Sequence, residues 1–239
     1  MSNTHSLDLE ASSSQYATAG DSTSLDLSGD FTIEAWVKME SLPSVGTNMA
    51  IVSKHGAPSQ YGYFCSVYNN AGVQSMNGGV SSTGNDFDFH TISLGTFNTG
   101  TWYHLAYVFT ASLHKVECYK DGVSLGTDTS GTLTSVKNNT QLCHVGAINQ
   151  GTLGSLFDGL IDEVKIYSDV RTAGEILTDM YSEPPTGDNL VAYWSLNNVA
   201  TDGSGNSNTL TLQGSPSYST TVPFTSYGGT MASFLLQML

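Results

Sequence analysis

The stretch Phe157-Asp158-Gly159-Leu160-Ile161-Asp162-Glu163-Val164-Lys165-Ile166-Tyr167 constrains this chain more than any other. Asp158-Gly159 is a turn signal. Residues 160–167 alternate and are rich in β-branched side chains, the pattern of a strand. Strict alternation places Asp162 on one face with Val164 and Ile166, and Ile161, Glu163 and Lys165 on the other. A carboxylate on an apolar face needs hydrogen-bond donors or a metal, because burying it unpaired is costly. What meets Asp162 is therefore the question the remaining residues have to answer.

Other segments carry the same period. Asp30 to Lys38 sets Phe31, Ile33, Ala35 and Val37 against Thr32, Glu34, Trp36 and Lys38. Ala50–Lys54, Gly62–Tyr68, Trp102–Thr110, Lys115–Lys120 and Gln141–Ile148 read as further strands, and Asp121-Gly122 as a hairpin turn. One helix is predicted over Arg171–Tyr181. Thr172 is its N-cap, with Glu175 three residues on as a capping box. Ile176, Leu177 and Met180 form its apolar face, and Pro184-Pro185 ends it. About a dozen short strands and one short helix predict an all-β, two-sheet antiparallel sandwich.

Composition narrows the function. Of 239 residues, 39% are hydrophobic, enough for a substantial core. Asp and Glu outnumber Lys and Arg 21 to 7, a net charge of −14. Such a surface repels nucleic acid, whose binding needs cations against phosphate, and repels anionic lipid. Solubility is the plain reading of that charge, and cation binding by some carboxylates the sharper one. Cys65, Cys118 and Cys143 are odd in number and lack metal-type spacing, so they read as buried free thiols, with one disulfide left open. No apolar run is long enough to span a bilayer, and the start has neither the basic region nor the apolar core of a signal peptide.

Five motifs in order resemble a known family. They are Leu25-Asp26-Leu27-Ser28-Gly29-Asp30-Phe31 with its strand to Val37, Ile51-Val52-Ser53-Lys54, Gly100-Thr101-Trp102-Tyr103-His104-Leu105-Ala106, Tyr119-Lys120-Asp121-Gly122, and Phe157 to Tyr167. Over residues 5–181 this set resembles the laminin-G-like, concanavalin-A-like lectin/glucanase jelly roll. The resemblance implies two curved antiparallel sheets, often a bound calcium, and frequently carbohydrate or protein recognition. Leu190–Leu196 followed by Asp202-Gly203-Ser204-Gly205-Asn206-Ser207-Asn208 is similar to the segment that usually begins such a domain. About 50 residues cannot make a second sandwich of ~100. The expected organisation is therefore a jelly roll over 1–187, a segment over 188–225 that completes the same sandwich or a neighbour's, and an apolar strand or assembly tail over 226–239, a route to homo-oligomers.

Three kinds of site are weighed. Calcium takes six to eight oxygens from flexible loops. The expected structural Ca2+ set is Asp162 with Asp202 and Asn208, completed by carbonyls such as Gly205 or Gly29. The alternative is an ordinary polar turn, with Asp162 accepting backbone N–H groups. Glycoside hydrolysis needs two carboxyls flanking the bond. The Glu-x-Asp-x-x-Glu strand of β-glucanases is absent, Glu34 stands alone, no Gly-x-Ser-x-Gly elbow occurs, and His104 reads as structural. Sugar binding pairs an aromatic face with Asp, Asn and backbone groups. Tyr61, Asp86, Asp88 and His90, with Tyr63 and Asn85 nearby, supply those types, against the alternative that the tyrosines pack on the sandwich.

The function expected is a non-catalytic binding or adhesion module for a glycan or surface protein, extracellular or on a virion or cell surface. The competing expectation is a structural or decoration protein with no sugar binding.

Overall fold

The computed structural model describes residues 2–56, 58–182 and 189–226. In chain order the first strands are β1 (Ser6–Leu9), β2 (Tyr16–Ala19), β3 (Phe31–Met39), β4 (Asn48–Lys54), β5 (Tyr63–Asn70) and β6 (Val73–Val80). Next come β7 (Asp88–Ser93), β8 (Tyr103–Thr110), β9 (Lys115–Lys120), β10 (Val123–Asp128), β11 (Cys143–Val145) and the short hairpin β12 (Ile148–Asn149) and β13 (Leu153–Gly154). The last are β14 (Gly159–Tyr167), helix α1 (Ala173–Asp179), β15 (Leu190–Trp194), β16 (Thr211–Gln213) and β17 (Ser217–Ser219).

Among the described residues, one sheet runs β10-β9-β8-β3-β14-β1-β17 with β15 also on β14, and the other runs β16-β2-β11-β4-β5-β6-β7. Neighbouring strands pair antiparallel, as hairpin links permit. The all-β jelly-roll expectation holds. The three strands after the helix enter these same sheets: β15 pairs with β14, β16 with β2 and β17 with β1. Residues 227–239, most of the expected apolar tail, lie outside the described residues.

Alternation decides what is inside. Phe31, Ile33, Ala35 and Val37 of β3 face Tyr63, Cys65 and Val67 of β5 in one apolar core. The opposite face of β3 turns to α1. Trp36 packs against Met180 and donates its Nε1–H to the Met180 carbonyl at 2.9 Å. The capping box of α1 is formed in both directions, an arrangement whose cap alone contributes about 1 kcal/mol. Lys165 donates to the carbonyls of Asp179 and Ser182, and so satisfies the helix's C-terminal end. The three cysteines are buried and free.

One expectation needs correction. β14 does not alternate strictly. Its register against β3 slips between Asp162 and Lys165, and Glu163 has φ +52°. This is a bulge, with an extra residue on one strand. Ile161, Val164 and Ile166 all reach the core. Asp162 therefore does not share the face of Val164 and Ile166. The bulge also divides one flank of β14 between two partners: β1 pairs with Gly159–Ile161, and β15 with Val164–Tyr167.

Candidate functional site

The outer face of the seven-stranded sheet gathers aromatic rings. With Tyr63, Cys65 and Val67 turned inward, Phe64 and Ser66 of β5 point outward. Register aligns Ser53, Phe64, Gly79 and Phe89 in one row across β4, β5, β6 and β7. Phe87 lies 5.6 Å from Phe64 and 4.4 Å from Phe89, centroid to centroid. Tyr61 stacks on His55 at 4.6 Å and 3°, and both meet Phe87 edge to face. Phe64 and His55 are buried and Tyr61 and Phe87 half-buried, whereas Phe89 is 61% exposed. The result is a ring cluster open at one end.

A polar row runs beside it. Ala50, Ser66, Asn77 and Thr91 share the next register line. The Ser66 hydroxyl and the Asn77 amide both donate to Asn48 Oδ1 at 3.2 Å, and Thr91 donates to Asn77 Oδ1 at 3.4 Å. The chain from Ala147 to Ser155 closes the flank. Ile148 packs on Ala50 and Phe64, and Ser53 donates to the Ala147 carbonyl. Burial pushes His55 down to about 4, so its ring is neutral at physiological pH. Gln150, an amide donor 3.0 Å away, hydrogen-bonds its Nε2, and the buried Nδ1 has no partner.

The sequence candidates separate here. Tyr61 belongs to the cluster. Asp86 holds the preceding loop, accepting from Ser81 Oγ and from the Ser82 and Thr83 N–H groups. Burial would raise its pKa, but these bonds outweigh it and hold the carboxyl well below the usual range. Asp88 accepts the Thr132 and Leu133 N–H groups. His90 is buried, with Nδ1 3.2 Å from Asp128 Oδ2. These three fasten the loops that frame the rings. Sequence reasoning missed His55, Phe64, Phe87, Phe89, Asn48 and Asn77. The run Asp86-Phe87-Asp88-Phe89 and the paired glycines Gly78-Gly79 inside a strand were the available signals.

The expected calcium ligands do not converge. Asp162 is buried and accepts the Asn3 amide at 2.8 Å and the Glu163 N–H at 3.0 Å. Burial, and then the neighbouring Glu163 carboxylate, drive its pKa far upward. Asp202 and Asn208 do share a loop with Gly205. There the Asp202 oxygens receive the N–H groups of Tyr193, Ser204 and Asn208 and the Ser204 hydroxyl, at 2.8–3.0 Å. Donors stand where a cation would, so these residues as arranged do not fit one calcium. Gly29 lines a rim cleft of about 600 Å³ with Asp26, Asp30, Asn189 and Asn206, the last from this same loop. Among the described residues no three of His, Cys, Asp and Glu form a metal-holding group.

Two carboxylates of the other sheet, Glu34 and Glu163, are enclosed. Glu34 lies 3.3 Å from His104, both fully buried. Burial pushes Glu34 up to about 8 and His104 down to about 3, so the two form a neutral pair. Glu163 accepts from Tyr193 Oη at 2.9 Å and lies 3.8 Å from Lys165. None of these groups faces a cleft where a glycosidic bond could reach it.

Two antiparallel sheets packed through an apolar core, with a ring-and-amide face on one of them, define a jelly-roll sandwich of the lectin type. The chain belongs to the concanavalin A-like lectin/glucanases superfamily, whose family model matches residues 11–177. Solved structures agree on the fold. A proposed carbohydrate binding protein from Bacteroides ovatus is 16% identical with a TM-score of 0.70, over 95% of this chain and 62% of that one. A heptameric SAP-like pentraxin from Limulus polyphemus is 11% identical with a TM-score of 0.63, over 94% of this chain and 96% of its own. The CBM40 of the Ruminococcus gnavus IT-sialidase, bound to α2,3-sialyllactose, is 14% identical with a TM-score of 0.54, over 72% of this chain and 94% of its own. The chain thus spans less than two thirds of the first of these. No curated protein matches it.

Proposed function

We propose that this chain is a non-catalytic glycan-binding module and that its ligand lies on the outer face of the seven-stranded sheet. The observation that carries the proposal is the exposed Phe89 ring at the open end of the cluster, with the Asn48–Ser66–Asn77–Thr91 row alongside. A pyranose has an apolar C–H face and a rim of hydroxyls. The first stacks on rings such as Phe89, Phe87 and Tyr61, and the second exchanges hydrogen bonds with amides and hydroxyls. The framing loops are already fixed by Asp86 and Asp88, so little ordering opposes binding. Hydrolysis is left out because the fully buried carboxyls of Glu34 and Glu163 cannot straddle a glycosidic bond.

A glycan array probed with the purified chain, followed by titration calorimetry of each hit, tests the proposal. Saturable binding to a defined glycan family is expected. No binding anywhere, together with stable oligomers by light scattering, would favour the structural or decoration role instead.

A further inference from the structure

The charges around the ring cluster bear on which glycans the face accepts, an inference that rests on the glycan-binding reading. In Asp86-Phe87-Asp88-Phe89 each ring of the open end is preceded by a carboxylate. Asp86 is kept ionised by its four hydrogen-bond donors from Ser81, Ser82 and Thr83. Asp88 accepts two backbone N–H groups from the loop after β10 and lies on the face of β7 shared with Val80 and His90, turned from Phe89.

Cations are turned elsewhere. Six of the seven are placed away from the rings. Lys54 is held by Asp21 and Asp26 at 2.9 Å, Lys165 and Arg171 lie beneath α1, and Lys115 pairs with Glu117. Lys120 donates to the Leu94 and Thr96 carbonyls, and Lys38 stands on β3 of the opposite sheet. Only Lys137 adjoins the framing loop, through its backbone N–H to Ser81. The histidines on this face add no charge, since burial lowers the pKa of both His55 and His144. A sialate, uronate or sulfate laid on these rings would meet the ionised Asp86, with Lys137 the one cation at the framing loop.

We propose that the face selects glycans without anionic groups and rejects sialylated, uronic or sulfated ones. The shared jelly roll does not decide this: the fold also carries the sialyllactose-bound CBM40. The local charge pattern of the ring cluster decides it.

The experiment is titration calorimetry of the whole chain against matched pairs, at low and at high sodium chloride. The pairs are lactose and α2,3-sialyllactose, cello-oligosaccharides and oligogalacturonides, and galactose oligomers with and without sulfate. Neutral members are expected to bind, with the anionic partners about tenfold weaker at low salt and the gap narrowing as salt screens it. Equal or tighter binding of an anionic partner overturns the selection while leaving glycan binding standing, and its loss in Lys137→Ala would name the cation responsible. Silence across every pair and across the wider array overturns the binding face itself.

Discussion

A Cβ on Gly79 would lie 2.1 Å from Phe87 Cε1 and 2.4 Å from the Asp88 carbonyl oxygen. Real Cβ atoms do not approach that closely, so the ring rests on β6 only because position 79 has no side chain. Gly79→Ala is expected to push Phe87 off the sheet, strain the β6–β7 pairing and destabilise by about 1–3 kcal/mol. Glycan affinity should fall with it. Gly174→Ala, which meets no atom within 4 Å, is the control and should leave melting unchanged or slightly raised. Thermal melting of the two variants decides; equal behaviour would remove Gly79 from the account.

The Glu34–His104 pair gives stability a pH dependence of known sign. Folded Glu34 titrates near 8 against an ordinary 4.5, so between those values the folded state keeps a proton the unfolded state releases, and stability falls as pH rises. Asp162 adds in the same direction. Folded His104 titrates near 3 against 6.5, so its contribution is lost as pH falls through that window. The two offset one another between 4.5 and 6.5. Above 6.5 Glu34 acts without that offset, lowering stability by on the order of 2 kcal/mol by pH 8. Glu34→Gln should give a shallower alkaline limb in denaturant melts; an unchanged slope would contradict the neutral pair.

Asp162 is buried, with its pKa raised far above the ordinary value and the Asn3 amide as its donor. Asp162→Asn should change stability by less than about 1 kcal/mol, since Asn3 can turn its amide to meet the new one. Asp162→Ala leaves the buried Asn3 amide unpaired and should cost about 1–3 kcal/mol. Urea melts distinguish this from an ionised ligand, for which both substitutions would be equally damaging.

Much of the sandwich was legible, because alternation and turn chemistry are local. Phe31, Ile33, Ala35 and Val37 face the core as their spacing requires, and Thr172 with Glu175 caps α1 from both sides. The same rule failed at Asp162. A bulge is set by what pairs on each flank, here β3 on one side and β1 and β15 on the other, and no window of β14 alone contains that information. The ring face was hidden for a related reason. Phe64 and Phe89 are 25 positions apart, and only the register of β5, β6 and β7 sets them in one row with Gly79 between. Asp86, Asp88 and His90 were readable as polar groups near an aromatic segment, but Thr132 and Asp128, the partners of Asp88 and His90, lie on other loops and strands.

The 202–208 loop should owe its shape to hydrogen bonds. Asp202→Ala would orphan the Tyr193, Ser204 and Asn208 N–H groups and is expected to cost about 3 kcal/mol. Calcium or chelator should leave the melting temperature of the native chain where it is. A calcium-dependent rise that disappears in Asp202→Ala would restore the metal.

The most direct measurement is titration calorimetry of one neutral array hit against the native chain and Phe89→Ala. Phe89 is 61% exposed, so the variant should fold and melt like the native protein. Losing one stacking ring is expected to weaken binding about tenfold, or ~1.4 kcal/mol. If Phe89→Ala binds with native affinity, the ligand does not lie on this face and the account fails at its centre.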